Sequence, residues 1–218
     1  MSRLWPPMLL SLKVAIVATV IVALVGIPLS YFMGRRKFRG KSVFDALITL
    51  PLVLPPTVVG YVLLVLFGSH GIFGWPLKSA LDYSILFHWH GAVIASAVVS
   101  LPLLYLPARA AFASVDQEME DLSRLMGATS LQTFWHVSLP LARRGIASGL
   151  LLAFARGLGE FGATTMVLGS YQQQETLPIA IYNDWLGGEM TRAAPAVIAL
   201  SVISFAVVLV YNRTLRAK

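Results

Sequence analysis

The chain has 218 residues, of which 57% are hydrophobic and 12% charged, against about 25% charged residues in a soluble domain. That leaves too little polar surface to cover a soluble globule, and it excludes disorder, which requires a chain poor in apolar residues. Cysteine is absent, so disulfide scaffolds and thiolate metal sites are excluded as well. What remains is an all-α integral membrane protein, in which the net charge of +7 reports the orientation of membrane spans rather than a nucleic-acid partner.

The apolar run from Met8 to Met33 exceeds the roughly 7–15 residues of a signal-peptide core. It reads as a retained first span over residues 9–33, with Lys13 near its outer end snorkelling outward. The basic stretch Arg35, Arg36, Lys37, Arg39 and Lys41 follows. Gly34 to Ser42 resembles a phosphate-binding loop, but five residues separate its glycines and no strand precedes it. It is read as a topology-setting loop. The second span, residues 44–67, carries Pro51, Pro55 and Pro56, and the third, residues 91–112, carries Pro102 and Pro107. Prolines break or kink helices, and in hydrocarbon such breaks survive only where protein or a water-lined cavity satisfies the backbone. His88-Trp89-His90, at the outer edge of the third span, fits an interfacial aromatic belt better than a metal site.

Residues 114–140 form the longest loop on the basic side. Asp116, Glu118, Glu120 and Asp121 suit the start of a helix. Met119, Leu122, Leu125 and Met126 recur on one face of it, and Gly127 is a stop. Thr129 and Gln132 form a capping box for a second short helix bearing Leu131, Phe134, Trp135 and Val137, and Pro140 starts the approach to the fourth span. The predicted unit is two amphipathic helices with a tight bend. An acid-rich face favours docking into a protein over resting on lipid, where a basic polar face is expected.

The fourth span, residues 145–168, contains Gly145 and Gly149, a G-x-x-x-G that packs helices either within one subunit or between two. Gly157 to Gly162 matches the dinucleotide-binding G-x-G-x-x-G but lies inside an apolar helix without a strand, which removes the cofactor reading. Arg156 and Glu160, four residues apart in this span, are either a pair near a pathway or gate, or an ion pair locking the span to its neighbours. Residues 176–186 read as a short outer helix with Thr176 as N-cap and Gly187-Gly188 as stop, and residues 193–211 as the fifth span. Five crossings with the basic loops on one side place the N-terminus outside and the C-terminus in the cytoplasm. No second domain and no nucleophile–base set is visible, so residues 1–218 form one transmembrane domain, not an enzyme.

The loop resembles the cytoplasmic signature of ABC importer permeases: an acidic residue, two small residues, three variable ones, a glycine, nine variable ones, then aliphatic-x-Leu-Pro. The matches are Asp121, Gly127, Val137, Leu139 and Pro140, with Ala128 following the glycine. Leu122 and Ser123 replace the usual small residues, and Glu120 is a second candidate for the acidic role. The stretches Leu50 to Tyr61 and Phe154 to Thr164 resemble the oxyanion group of these permeases, molybdate permeases above all, then tungstate or sulfate. The resemblance implies a type I ABC importer permease in a bacterial or archaeal inner membrane. It implies a second copy of this chain, two ABC subunits that use ATP and magnesium, an extracytoplasmic oxyanion-binding protein, and no cofactor on this chain. Coupling would run through Glu120, Asp121, Leu122, Gly127, Ala128, Val137, Leu139 and Pro140, and a pathway would involve Arg156, Glu160, Pro55 and Pro56. The competing reading is a non-transport membrane protein whose amphipathic loop rests on lipid.

Overall fold

The computed structural model describes residues 4–169 and 174–216, and the regular structure among them is helical throughout. Helix α1 (Trp5–Arg35) carries Pro6 and Pro7 in its opening turn, where a missing N–H is no loss, and stays helical through Pro28. It buries Val14, Ala18, Val22, Gly26 and Ser30, a stripe of mostly small residues repeating every four positions. That stripe lets α1 lie close along α5 (Trp89–Ala113): a side chain at Gly26 would meet Leu104 at 2.9 Å.

The second predicted span is two helices, α2 (Lys41–Val53) and α3 (Pro56–Phe67), bent by 114°. Leu54 and Pro55 each precede a proline, which disfavours helical backbone, and both are extended at ψ 142° and 134°. The pair still runs the depth of α5: Asp45 meets Arg109 near one end, while Leu63 and Phe67 pack beside Gly91 near the other. Among the described residues there are therefore four long apolar helices plus one broken span, in agreement with five predicted segments.

Short helix α4 (Gly74–Leu81) leads to α5, which stays one continuous helix through Pro102 and Pro107 and packs against α1, α2, α3, α8 and α9. Beyond α5 come α6 (Gln117–Leu125), α7 (Ser130–Thr133), a π-helical turn (Phe134–Ser138), α8 (Leu139–Leu158), α9 (Gly162–Leu168), α10 (Leu177–Leu186) and α11 (Met190–Arg216). One hydrophobic cluster joins α1, α5 and α8 through Val22, Leu104, Phe112, Ile146 and Ala153. A second seats α3 and α9 on α5 through Val59, Leu63, Val99, Ala163 and Val167. Helix α11 contacts α8 and α10 and leaves Ile198, Val202 and Phe205 exposed, as a lipid- or protein-facing span does.

Three expectations are corrected. The fourth span is not one helix over residues 145–168: α8 ends at Leu158 and the chain restarts as α9. Gly159 is the C-cap of α8, and the buried Glu160 carboxylate supports the start of α9, its Oε1 accepting the first-turn Ala163 N–H at 2.8 Å. The second loop helix is not separate. It passes through the π turn directly into α8, because the wider turn accommodates Pro140, which has no N–H and crowds the preceding carbonyl. Thr176 occupies the N-cap of α10 but makes no capping bond; Ser11 of α1 instead accepts the Leu177 N–H at 2.7 Å.

Candidate functional site: a capped helical elbow

Asp116 caps α6 by accepting the Glu118 N–H at 3.0 Å. At the other end Gly127 adopts φ +91°. Its N–H bonds to Arg124 O at 2.9 Å and the Ala128 N–H bonds to Ser123 O at 3.1 Å, the paired bonds of a Schellman motif. Thr129 and Gln132 complete the predicted capping box at 3.3 Å and 2.8 Å. A Ser123–Thr133 hydroxyl bond of 3.2 Å then ties α6 to α7 across the bend. The elbow is thus fixed by its own backbone and caps.

The two acids separate in role. Glu120 is 3% exposed. Its Oε2 forms an ion pair with Arg35 Nη2 at 2.6 Å and accepts the Arg35 Nε–H at 3.2 Å, and its Oε1 accepts the Ser138 hydroxyl at 2.7 Å. Asp121 has a side chain 54% exposed and, among the described residues, pairs with Arg124 one turn away. So Glu120 does not stand in for Asp121 on the outer surface: it faces inward. Leu122, Leu125, Met119 and Met126 stand in solvent with Leu131 and Trp135, and Leu125 and Met126 reach 85% and 83% exposure. Val137 and Leu139 are half-buried at the π turn and the start of α8, Ala128 is half-buried at the bend, and Pro140 is exposed in the first turn of α8. This apolar face, carried by α6 and the start of the helix that runs on into α8 and rimmed by acids, marks a contact surface.

The pathway candidates come together in part. Arg156 and Glu160 form an ion pair, with side chains 30% and 1% exposed. The pair bridges α8 to α9 across the break, since Glu160 also holds Ala163 N. The Pro55-Pro56 break lies against the same place: a side chain on Gly162 would meet Pro56 Cβ at 2.9 Å and Thr57 N at 3.3 Å. Two helix interruptions therefore adjoin, and α3 and α9 approach at Gly60, where an added Cβ would lie 2.9 Å from Ala163 Cα.

The G-x-x-x-G is resolved as packing within the chain: Cβ atoms added at Gly145 and Gly149 would meet Ala111 Cβ at 2.4 Å and Leu104 Cα at 3.0 Å, both on α5. At the end of the bundle opposite the elbow, Lys13 lies 3.5 Å over the Trp89 ring. His90 bonds Tyr83 at 2.7 Å and His88 the Leu86 carbonyl at 3.1 Å.

Sequence reasoning missed Arg35 and Ser138, because their partner Glu120 is 85 residues from the first and 18 from the second. It also missed an ion pair of 2.5 Å between Asp45 and Arg109, with Tyr105 donating to the same carboxylate. A lone acid in the apolar segment 44–67 was the available signal, since such a charge demands a partner.

Residues 26–217 match the family described as the binding-protein-dependent transport system inner membrane component. The chain belongs to that family. It is 41% identical over 201 residues to the molybdenum transport system permease protein ModB of Escherichia coli K12, covering 91% of this chain and 88% of that one. A molybdenum transport system permease protein of Haemophilus influenzae is 40% identical over 175 residues, with 80% and 76% covered. The molybdate/tungstate transport system permease protein WtpB of Pyrococcus abyssi is 37% identical over 175 residues, with 80% and 65% covered. The fold matches a bacterial alginate ABC transporter solved with its alginate-bound periplasmic protein, at TM-score 0.74 and 19% identity over 97% of this chain and 77% of that one. It also matches an amino acid ABC transporter, at TM-score 0.61 and 19% identity over 97% and 90%. The chain is accordingly an all-helical, multi-pass membrane protein with the fold of ABC importer permeases, and its relatives are transport permeases rather than enzymes.

Proposed function

We propose that this chain is the membrane-spanning subunit of an ATP-driven importer of molybdate. Two copies would form the passage, two separate ATPase subunits would use ATP and magnesium, and an extracytoplasmic binding protein would deliver the oxyanion. The N-terminus lies outside and the elbow and C-terminus in the cytoplasm, an orientation supported by the basic residues beside α1, α5 and α11. The observation that carries the reading is the elbow: a capped, acid-rich helix pair that exposes Met119, Leu122, Leu125 and Met126 in a chain whose relatives move molybdenum. Docking there couples nucleotide-driven closure to rocking of the helices, an exchange between two states of comparable energy. The adjoining breaks at Pro55-Pro56 and Glu160 are the proposed pathway region, because interrupted helices line transport routes. Tungstate is the second reading, favoured by the Pyrococcus abyssi relative.

The test is purification from membranes followed by uptake of labelled molybdate in proteoliposomes, with tungstate and sulfate as competitors. An ATPase should copurify with wild type and be lost on Asp121→Lys with Leu125→Lys, and uptake should require ATP. A chain that purifies without any ATPase and crosslinks to phospholipid through α6 refutes the proposal.

A further inference from the structure

We propose that Arg35 and Glu120 are positioning residues that clamp α1 to the elbow, so that force from the docked ATPase reaches the inner end of α1 directly. This rests on the ATPase-coupled reading above. The chain enters the elbow from α5 and leaves it into α8, so by connectivity alone only those two helices would follow its motion. The side chains add a third. Arg35, in the last turn of α1, donates from Nη1 to the Val115 carbonyl at 2.7 Å, just past the end of α5, and to Phe112 O at 3.5 Å in the last turn of α5. Its Nη2 and Nε hold one oxygen of Glu120, and the other oxygen takes the Ser138 hydroxyl. One guanidinium and one carboxylate thus join α1, α5, α6 and the turn that opens α8.

Two further observations fit a clamp rather than incidental pairing. Gly34 sits so close to α5 that an added Cβ would lie 3.0 Å from Arg109 O, which brings Arg35 within reach of its partners. Beside the polar layer is an aromatic one from the same elements: Tyr31 meets Phe112 edge-on at 5.3 Å and Phe134 at 4.9 Å. The pairing is also inward. Glu120 is sealed while its neighbour Asp121 faces out, so the clamp operates behind the docking face rather than in it. A buried, directional charge pair holds one geometry and does not slide as an apolar contact can.

The experiment uses the full complex in proteoliposomes and reads molybdate taken up per ATP hydrolysed. The chain has no cysteine, so spin labels at Lys37→Cys and Glu118→Cys report the distance between the end of α1 and α6. With each labelled copy paired to an unlabelled one, so that the second copy adds no distances, the distance in the otherwise unaltered chain should be single and equal with and without ATP. With Glu120→Gln the uptake-to-ATP ratio should fall several-fold and the distance should broaden. Should Glu120→Gln fail to assemble, Arg35→Lys and Ser138→Ala carry the same measurement. Unchanged ratio and distance in all three variants overturns the clamp. So does loss of the ATPase from Glu120→Gln alone, which would place this carboxylate in the docking contact. A wild-type chain that holds no ATPase overturns the coupling reading itself, and is told apart because it precedes any variant.

Discussion

Gly145→Ala tests how α8 is held. An added Cβ would lie 2.4 Å from Ala111 Cβ and 2.9 Å from the Pro107 carbonyl oxygen. Carbon atoms settle at about 3.5–4.0 Å, so the helices must part by about 1 Å. The Pro107 oxygen is backbone and cannot swing aside. Replacing glycine by alanine in a helix gains about 1 kcal/mol of intrinsic propensity. Overpacking costs about 1–3 kcal/mol, and a clash involving backbone takes the top of that range. The net loss is about 2 kcal/mol, equivalent to a fall in Tm of about 4–8 °C for a chain this size. The assay is thermal unfolding of the purified complex, followed by size-exclusion chromatography. Gly149→Ala should lose less, because its nearest contacts are at 3.0 Å. An unchanged Tm for Gly145→Ala, or loss of the dimer with the folded monomer equally stable, would refute packing within the chain.

Gly127→Pro forces φ from +91° to about −65° and deletes the N–H bonded to Arg124 O; binding-protein-stimulated ATPase activity should vanish while the dimer persists on chromatography, and normal transport would deny the elbow its role. Arg156→Ala leaves the sealed Glu160 carboxylate uncompensated, a loss of about 3 kcal/mol at the lower end for a broken buried pair because the arginine is partly exposed. Yield of assembled complex should fall, Glu160→Gln should assemble because Oε1 still accepts Ala163 N, and the double variant should recover over Arg156→Ala; a double variant as poor as the single one would contradict this. Thr129→Ala removes the capping box at about 1 kcal/mol, so amide exchange over residues 131–133 should quicken about fivefold, and an unaltered rate would show the π turn alone holds α7.

Much of the architecture was legible in the chain. Continuous apolar runs located the spans, because hydrocarbon demands length and hydrophobicity within single segments. Asp116, Gly127 and the Thr129–Gln132 box located the elbow, because caps are made between residues two to five apart. The Pro55-Pro56 break was legible for the same reason, since proline restricts its own backbone and that of the residue before it.

Tertiary structure alone decided the rest. Glu120 and Asp121 are adjacent and chemically alike, yet one is sealed against Arg35 and Ser138 and the other faces outward. The G-x-x-x-G fits either interface by sequence, and only the approach of α5 assigns it. Local backbone preference and transfer from water act residue by residue and can be read along the chain. The pairing of buried charges depends on which helices meet, and that is fixed only when the whole bundle has packed.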